Sequence, residues 1–351
     1  MNKIFYLLSL SLCLFTFRAE AGNPDRQGEA GAYELLMNPW ARSAGLHTMT
    51  TSMIMGVESM RLNPAGLSRI SGGTEVLIGH ARYLEPSDVK MNAFGVGQRM
   101  GKNGTFGLSI MSLDMGEIEV TTPDQPEGTG ATFSPNFFHL GLSYAHLFEN
   151  KISVGITFRA ISESISDVSA FGFALDAGVQ YVTGPKDNFK FGISLRNVGS
   201  RMTFGGQGLS FPTENPDGTL SYDITVDQRS AGFELPSVLN IGMSYDFNLD
   251  ADNRFTLVGN FTANSFSRDQ IGGGVEYALK EMFMIRAGYK FEMGLSADRS
   301  FEQSVYTGLS GGVTIDVPTK KGGDSRFGID YAFRATSPFN GTHNLGVRIV
   351  L

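Results

Sequence analysis

The chain has 351 residues, with 28 Lys and Arg against 35 Asp and Glu, for a net charge of −7. That acidic balance argues against nucleic acid as a partner, which calls for a basic stripe. Gly is abundant at 44, with 27 Phe, 11 Tyr and a single Cys, which suits a β protein with small interior residues and aromatic girdles.

Residues 1–21 read as a secretory signal peptide. Lys3 supplies the positive start, Ile4 to Phe17 the apolar core, and Ala19-Glu20-Ala21 an A-x-A cleavage site, so the mature chain begins at Gly22. The apolar run is too short to cross a membrane as a helix, and no second long apolar run follows. Apolar residues continue past Cys13, which argues against a lipoprotein cysteine. Cleavage removes Lys3, Arg18 and Glu20 and leaves a net charge of about −8. It also removes Cys13, so the mature chain has no disulfide and no thiolate metal site.

Residues 22–73 are rich in Met and Ala and lack strict alternation. They carry Ala41-Arg42-Ser43-Ala44-Gly45 and end near Asn63-Pro64-Ala65-Gly66-Leu67. Asn caps, Pro fixes φ and Gly permits reversal, so this is turn chemistry. A compact segment of this kind is expected to be a hatch, or plug, folded into a barrel mouth or lumen; the alternative is a periplasmic arm outside it. Met49, Met53, Met55 and Met60 are expected to pack its core, although a soft apolar pocket is another use for them.

From Thr74 to Leu351, strand-length segments alternate with turns. Fourteen are expected, at 74–84, 91–100, 104–120, 133–148, 152–163, 172–182, 190–204, 234–249, 255–264, 270–279, 282–293, 305–317, 325–334 and 341–351. The fold class is therefore all-β, a transmembrane antiparallel barrel of about 14 strands with an N-terminal plug, residues 74–351 forming the wall. A pair of soluble β-sandwiches is the competing architecture. In several strands apolar residues oppose polar ones: Leu239, Ile241, Met243, Tyr245 and Phe247 face away from Asn240, Gly242, Ser244 and Asp246. The even-numbered connections are tight, and the odd ones include the long stretches 121–132, 205–233 and 294–304. Short periplasmic turns with long outer loops are a barrel regularity. The loop 205–233 is read as a partner-binding or lid element at the outer mouth.

The final strand carries Leu345, Val347, Ile349 and Leu351 on one face and Asn344, Gly346 and Arg348 on the other. It is the expected closing strand, pairing with the first so that no edge is left unsatisfied in lipid. Leu351 stands where a terminal aromatic is usual.

No His pair has metal spacing. His139 and Ser143 share a strand face, so a hydrolase in the wall is conceivable, but lumen polarity is the simpler reading and no catalytic or cofactor residue is assigned. Gly95-Val96-Gly97 and Gly272-Gly273-Gly274 lie within strands, with no helix N-terminus to hold a phosphate. Charges such as Arg159, Asp176, Arg196, Asp246, Arg286, Glu292, Asp330, Arg334 and Arg348 face the lumen and are expected to pair or to hold the plug.

The Ala41–Gly45 and Asn63–Leu67 segments, placed just before a fourteen-strand pattern, resemble the PorV/PorQ family within the larger class of FadL-like outer-membrane barrels. That resemblance spans the mature chain. It implies a non-enzymatic component, partner or substrate shuttle of a type IX protein secretion system, seated in outer-membrane lipid and lipopolysaccharide. Its implied partners are a large outer-membrane translocon and secreted substrate proteins. The FadL-like alternative implies a transporter for long-chain fatty acids or other hydrophobic compounds, with a hydrophobic ligand in the barrel. In either case Asn63, Pro64, Ala65 and Gly66 are carried over as structural hatch residues.

Overall fold

The computed structural model describes residues 22–215, 222–294, 304–305, 307–319, 325–336 and 338–351; the signal-peptide reading of residues 1–21 lies outside them. Fourteen antiparallel strands close into a barrel. In chain order they are β1 (Thr74–Arg82), β2 (Lys90–Met100), β3 (Gly104–Asp114), β4 (Asn136–Phe148), β5 (Ile152–Ile165), β6 (Val168–Thr183), β7 (Phe189–Gly199), β8 (Val238–Asn248), β9 (Asn253–Asn264), β10 (Gln270–Leu279), β11 (Phe283–Glu292), β12 (Gly308–Pro318), β13 (Arg326–Arg334) and β14 (Thr342–Val350).

Each expected strand has its counterpart, but several ends move. The segments read as 104–120 and 190–204 stop at Asp114 and Gly199, and the one read from 234 starts at Val238. β5 and β6 run further, to a tight turn at Ser166-Asp167, because Ser162, Ser164 and Ser169 continue the ladder into water. Closure is made by β14 against β1, from Glu75 opposite Val350 to Arg82 opposite His343. Leu351 lies one residue past the strand, where its amide bonds Thr74 and its carbonyl accepts from Gly73 and Thr74. Every edge is thus paired, which the membrane interior requires.

The period-2 alternation sorts side chains between lipid and lumen. Leu345 at 49% exposure and Ile285 at 62% face outward, whereas Asn344 and Arg286 are buried. Aromatic residues ring both rims, with Tyr144, Tyr181, Phe247 and Phe283 at the end of the short turns and Phe138, Phe171 and Phe291 at the other. An apolar band between aromatic rims is the surface of an outer-membrane barrel. The tight turns 101–103, 149–151 and 280–282 mark the periplasmic end.

The lumen holds the segment before β1. It is built from short helical turns at Pro24–Arg26, Tyr33–Leu36, Ala41–Ala44, Ser59–Leu62 and Pro64–Arg69. Residues 22–31 lie at the outer rim, where Gly22 bridges Arg268 and Ala30 bridges Glu234, and the chain descends from there to the periplasmic start of β1. Trp40, Val57, Met60 and Leu67 pack against Leu77, Met91, Met111 and Leu113 of the wall. Each such buried side chain contributes about 1.5–3 kcal/mol. Met49, Met53 and Met60 are buried, but Met55 is 38% exposed and outside this core.

Wall glycines make room for the plug. A Cβ at Gly155 would lie 2.3 Å from the Pro64 carbonyl carbon, one at Gly178 would lie 1.9 Å from Asn63 Oδ1, and one at Gly107 would lie 2.3 Å from Met60 Sδ. The Gly95 and Gly272 motifs serve the same purpose, backing Val57 and Met49.

Candidate functional site

Two arrangements inside the barrel combine chemistry with position: a polar lock between plug and wall, and a cavity above the plug.

The lock begins with the turn after Ser59–Leu62. Asn63 Oδ1 accepts from the Ala65 amide at 3.2 Å, and its Nδ2 donates to the carbonyls of Thr51 at 2.8 Å and Val179 of β6 at 3.2 Å. Asn63 thus caps the Pro64–Arg69 turn and ties it to the wall. Pro64 occupies the first turn position, and Gly66 abuts the Ile54 carbonyl so closely that a Cβ there would sit 2.1 Å from it. Asn63, Pro64, Ala65 and Gly66 are all buried.

Arg61, one turn earlier, is the hub. It donates through Nε to the Met37 carbonyl at 2.9 Å and through Nη2 to the Glu34 carbonyl at 2.5 Å, and its Nη1 stands 3.4 Å from His139 Nδ1. Arginine only donates, so Nδ1 accepts and His139 Nε2 carries the proton. That Nε2 lies 3.0 Å from Glu34 Oε1. Wall residues complete the layer: Arg159 pairs with Asp176 at 2.6 Å, and Arg196 donates to the Arg61 carbonyl at 2.7 Å. Asp176 sits at the register shift between Leu175 and Ala177, where it accepts from the Asn197 amide at 2.7 Å. The bulge lies on β7, where Arg196 and Asn197 together stand opposite Asp176, and it brings the Asn197 amide onto the lumen-facing Asp176 carboxylate.

Burial pushes the Glu34 carboxyl up to about 7, with Arg61 partly offsetting it. Arg61, His139, Glu163 and Arg159 are the titratable or charged groups around it. An acid whose pKa rises on docking takes up a proton when it docks. Docking is then strongest at and below pH 4.5 and weakens, by up to about tenfold per pH unit, as the pH rises from there to 7. Trypsin cleavage at plug arginines in the detergent-solubilised protein should accelerate from pH 5 to 7 after correction for the protease's own pH dependence; a flat profile would remove Glu34 from this role.

Above the lock lies a cavity of about 470 Å³. Its walls are Arg196, Asn240, Thr262, Asn264, Gln270, Lys290, Glu292 and Arg334, all toward the outer ends of their strands. His47 and Thr48 of the plug form its floor, and Gln27 and Gly28 contribute from the outer-rim segment. Arg196, Arg268, Lys290 and Arg334 outnumber Glu292 four to one among its charged residues, so the space favours an anion. Lys290 donates to Thr48 Oγ1 at 3.2 Å. Burial, then the charges of Lys290 and Arg334, hold the His47 imidazole well below its usual range, and its buried Nε2 has no hydrogen-bond partner among the described residues. A neutral ring edge with a free nitrogen is available to a ligand. A second hollow of about 540 Å³, lined by Phe106, Leu142, Tyr144 and Phe158, lies on the lipid-facing wall.

Of the lumen charges read from the sequence, Arg286 pairs with Glu276, Arg348 with Asp316 and Asp246 with Lys190, each at 2.5 Å, whereas Asp330 accepts from Thr314 and Glu292 from the Ser304 amide. The Ser143–His139 pairing does not form, because Ser143 bonds Thr157 at 2.7 Å while His139 is engaged by Arg61 and Glu34. The described part of 205–233 does not line the cavity. It forms a ribbon, Ser210–Glu214 with Asp223–Asp227, and residues 216–221 lie outside the described residues. The sequence did not single out His47 and Thr48, which open the polar run His47-Thr48-Met49-Thr50-Thr51-Ser52 with nothing local to set them apart from it.

No protein-family model and no curated protein matches this chain. Among solved structures it is similar to the Ralstonia pickettii toluene transporter TbuX, at 13% identity over 89% of this chain and 97% of that one, with a TM-score of 0.55. The Pseudomonas putida toluene transporter TodX gives 12% identity over 89% and 97%, with a TM-score of 0.54. The CymD monoaromatic hydrocarbon channel gives 14% over 89% and 96%, with a TM-score of 0.53. The fold is that of these outer-membrane transport barrels. At such identities the likeness is one of fold, and it includes the fourteen-strand wall.

Proposed function

We propose that this protein is a plugged outer-membrane transport barrel, without catalytic activity, that admits small amphiphiles bearing an anionic group through its outer mouth. The cation-lined cavity directly above the plug carries this reading. The fold shared with toluene transporters supports a transport role, corresponding to the FadL-like alternative drawn from the sequence. The polar lining argues for a ligand with a charged end over a bare hydrocarbon, since an apolar ligand is held by a mostly apolar pocket. Movement of the residue 22–73 plug would open the path, with Asn63–Gly66 as its wall anchor.

A second reading, partner of a protein-export translocon and its secreted substrates, draws on the outer ribbon, where Phe211 and Tyr222 are exposed. Equilibrium binding to the purified protein separates the two. 4-Methylbenzoate is expected to bind more tightly than toluene, and Lys290→Met to weaken the carboxylate about tenfold while leaving toluene unchanged. Tighter binding of toluene would overturn the anionic assignment. Co-purification of a very large barrel from native membranes, with no small-molecule binding, would favour the export reading.

A further inference from the structure

We infer that removal of the signal peptide fastens the plug, because the α-ammonium created at Gly22 pairs with the buried Asp269 carboxylate at the outer rim. This rests on cleavage after Ala21 and is independent of the transport reading.

Asp269 closes the short connection between β9 and β10 and is 1% exposed. Its Oδ1 accepts from the Asn264 amide at 2.9 Å, while its buried Oδ2 has no partner among the described residues. A buried carboxylate oxygen left unpaired is costly and calls for a missing donor. Burial accordingly pushes the Asp269 carboxyl above its usual range, with the Asn264 amide partly offsetting it. The main chain packed against this carboxylate is that of Gly22: a Cβ there would lie 2.9 Å from Oδ1 and 3.2 Å from Cγ. The approach is held by the Asn23 amide, which donates to the Ser267 carbonyl at 3.2 Å and stays in place after cleavage. No residue with a side chain fits at position 22 without displacing Asp269.

In the precursor the Gly22 nitrogen belongs to a neutral amide with one hydrogen. Hydrolysis of the Ala21–Gly22 bond gives hydroxyl to the Ala21 carbonyl carbon and hydrogen to the Gly22 nitrogen. The resulting amine, with an ordinary pKa of about 7.7–8.0, binds a further proton at pH 7. It then presents three donors and a positive charge to a carboxylate whose Oδ2 has no donor among the described residues. The junction that the A-x-A pattern marks and the acid with an unpaired oxygen meet at the same residue. The pair would pin the leading end of the plug, next to the segment from which Gln27 and Gly28 reach the cavity.

The test uses the full chain, expressed with its signal peptide and purified from outer membranes, with mass spectrometry to read the mature start. The rate of labelling of the α-amine by an amine-selective reagent is followed from pH 6 to 9. Pairing that raises the α-amine pKa by about one unit slows labelling at pH 7 about tenfold relative to Asp269→Asn. A variant with one Ala inserted after Ala21 displaces the ammonium and keeps the carboxylate; it should label as fast as Asp269→Asn, and in both variants trypsin should cut faster at Arg26. Heat-modifiable migration verifies that each barrel is folded, and if Asp269→Asn does not assemble, the insertion variant decides alone. Equal labelling in wild type and insertion variant, or a mature chain that starts elsewhere than Gly22, overturns the pairing.

Discussion

Gly178→Leu is expected to expel the plug while leaving the barrel intact. Gly178 of β6 lies opposite Gly155 of β5, and this glycine pair makes the hollow that receives Asn63 and Pro64. A side chain at 178 takes the position of Asn63 Oδ1 and would break the bonds from Asn63 to the Thr51 and Val179 carbonyls. Overpacking costs about 1–3 kcal/mol, and each neutral hydrogen bond lost adds about 1 kcal/mol. Strand pairing at Gly178 uses backbone alone, so heat-modifiable migration should persist. Cells carrying the variant should become sensitive to antibiotics too large for ordinary porins. Gly259→Leu, where an added Cβ meets nothing within 4 Å, is the control and should behave as wild type. Equal sensitivity of the two variants would show that the hollow does not hold the plug.

Arg61→Met should loosen the plug by another route. The guanidinium satisfies the buried carbonyls of Glu34 and Met37 and orients His139 against Glu34. Removing the donor leaves these buried carbonyls unsatisfied, at about 1–3 kcal/mol each. Methionine restores volume but no donor, so the defect is electrostatic and not a cavity. Trypsin should then reach the remaining plug arginines, Arg26, Arg42 and Arg69, faster in the folded barrel. Unchanged resistance would mean that apolar packing of Trp40, Val57 and Met60 suffices by itself.

The wall was legible in the sequence because lipid on one side and a polar lumen on the other enforce strict alternation, and Leu239 to Asp246 shows it residue by residue. Strand ends were less so. Alternation continues past the bilayer in Glu117 to Val120, where pairing shifts to the small ribbon Ile118–Glu119 with Thr132–Phe133. Conversely, the serines around Ser166 look like a loop but extend a hairpin into water. The glycine seats could not be read, because a lumen glycine that admits a plug residue looks the same as one that merely saves space. The cavity is legible only in part. Lys290, Glu292 and Arg334 are visibly lumen-facing, but their convergence on His47 depends on strand register and on the path of the plug, neither of which a local pattern encodes. His139 and Ser143 show the limit most directly, since a shared face proved insufficient once Arg61 and Glu34 arrived from the plug.

Single-channel conductance of the wild-type protein in planar bilayers tests the central claim most directly. A lumen filled by residues 22–73 and anchored through Asn63 and Arg61 predicts an electrically silent barrel at neutral pH, with steady openings appearing in Gly178→Leu. Steady porin-like conductance in the wild type would contradict a closed plug, and with it the gated transport built upon it.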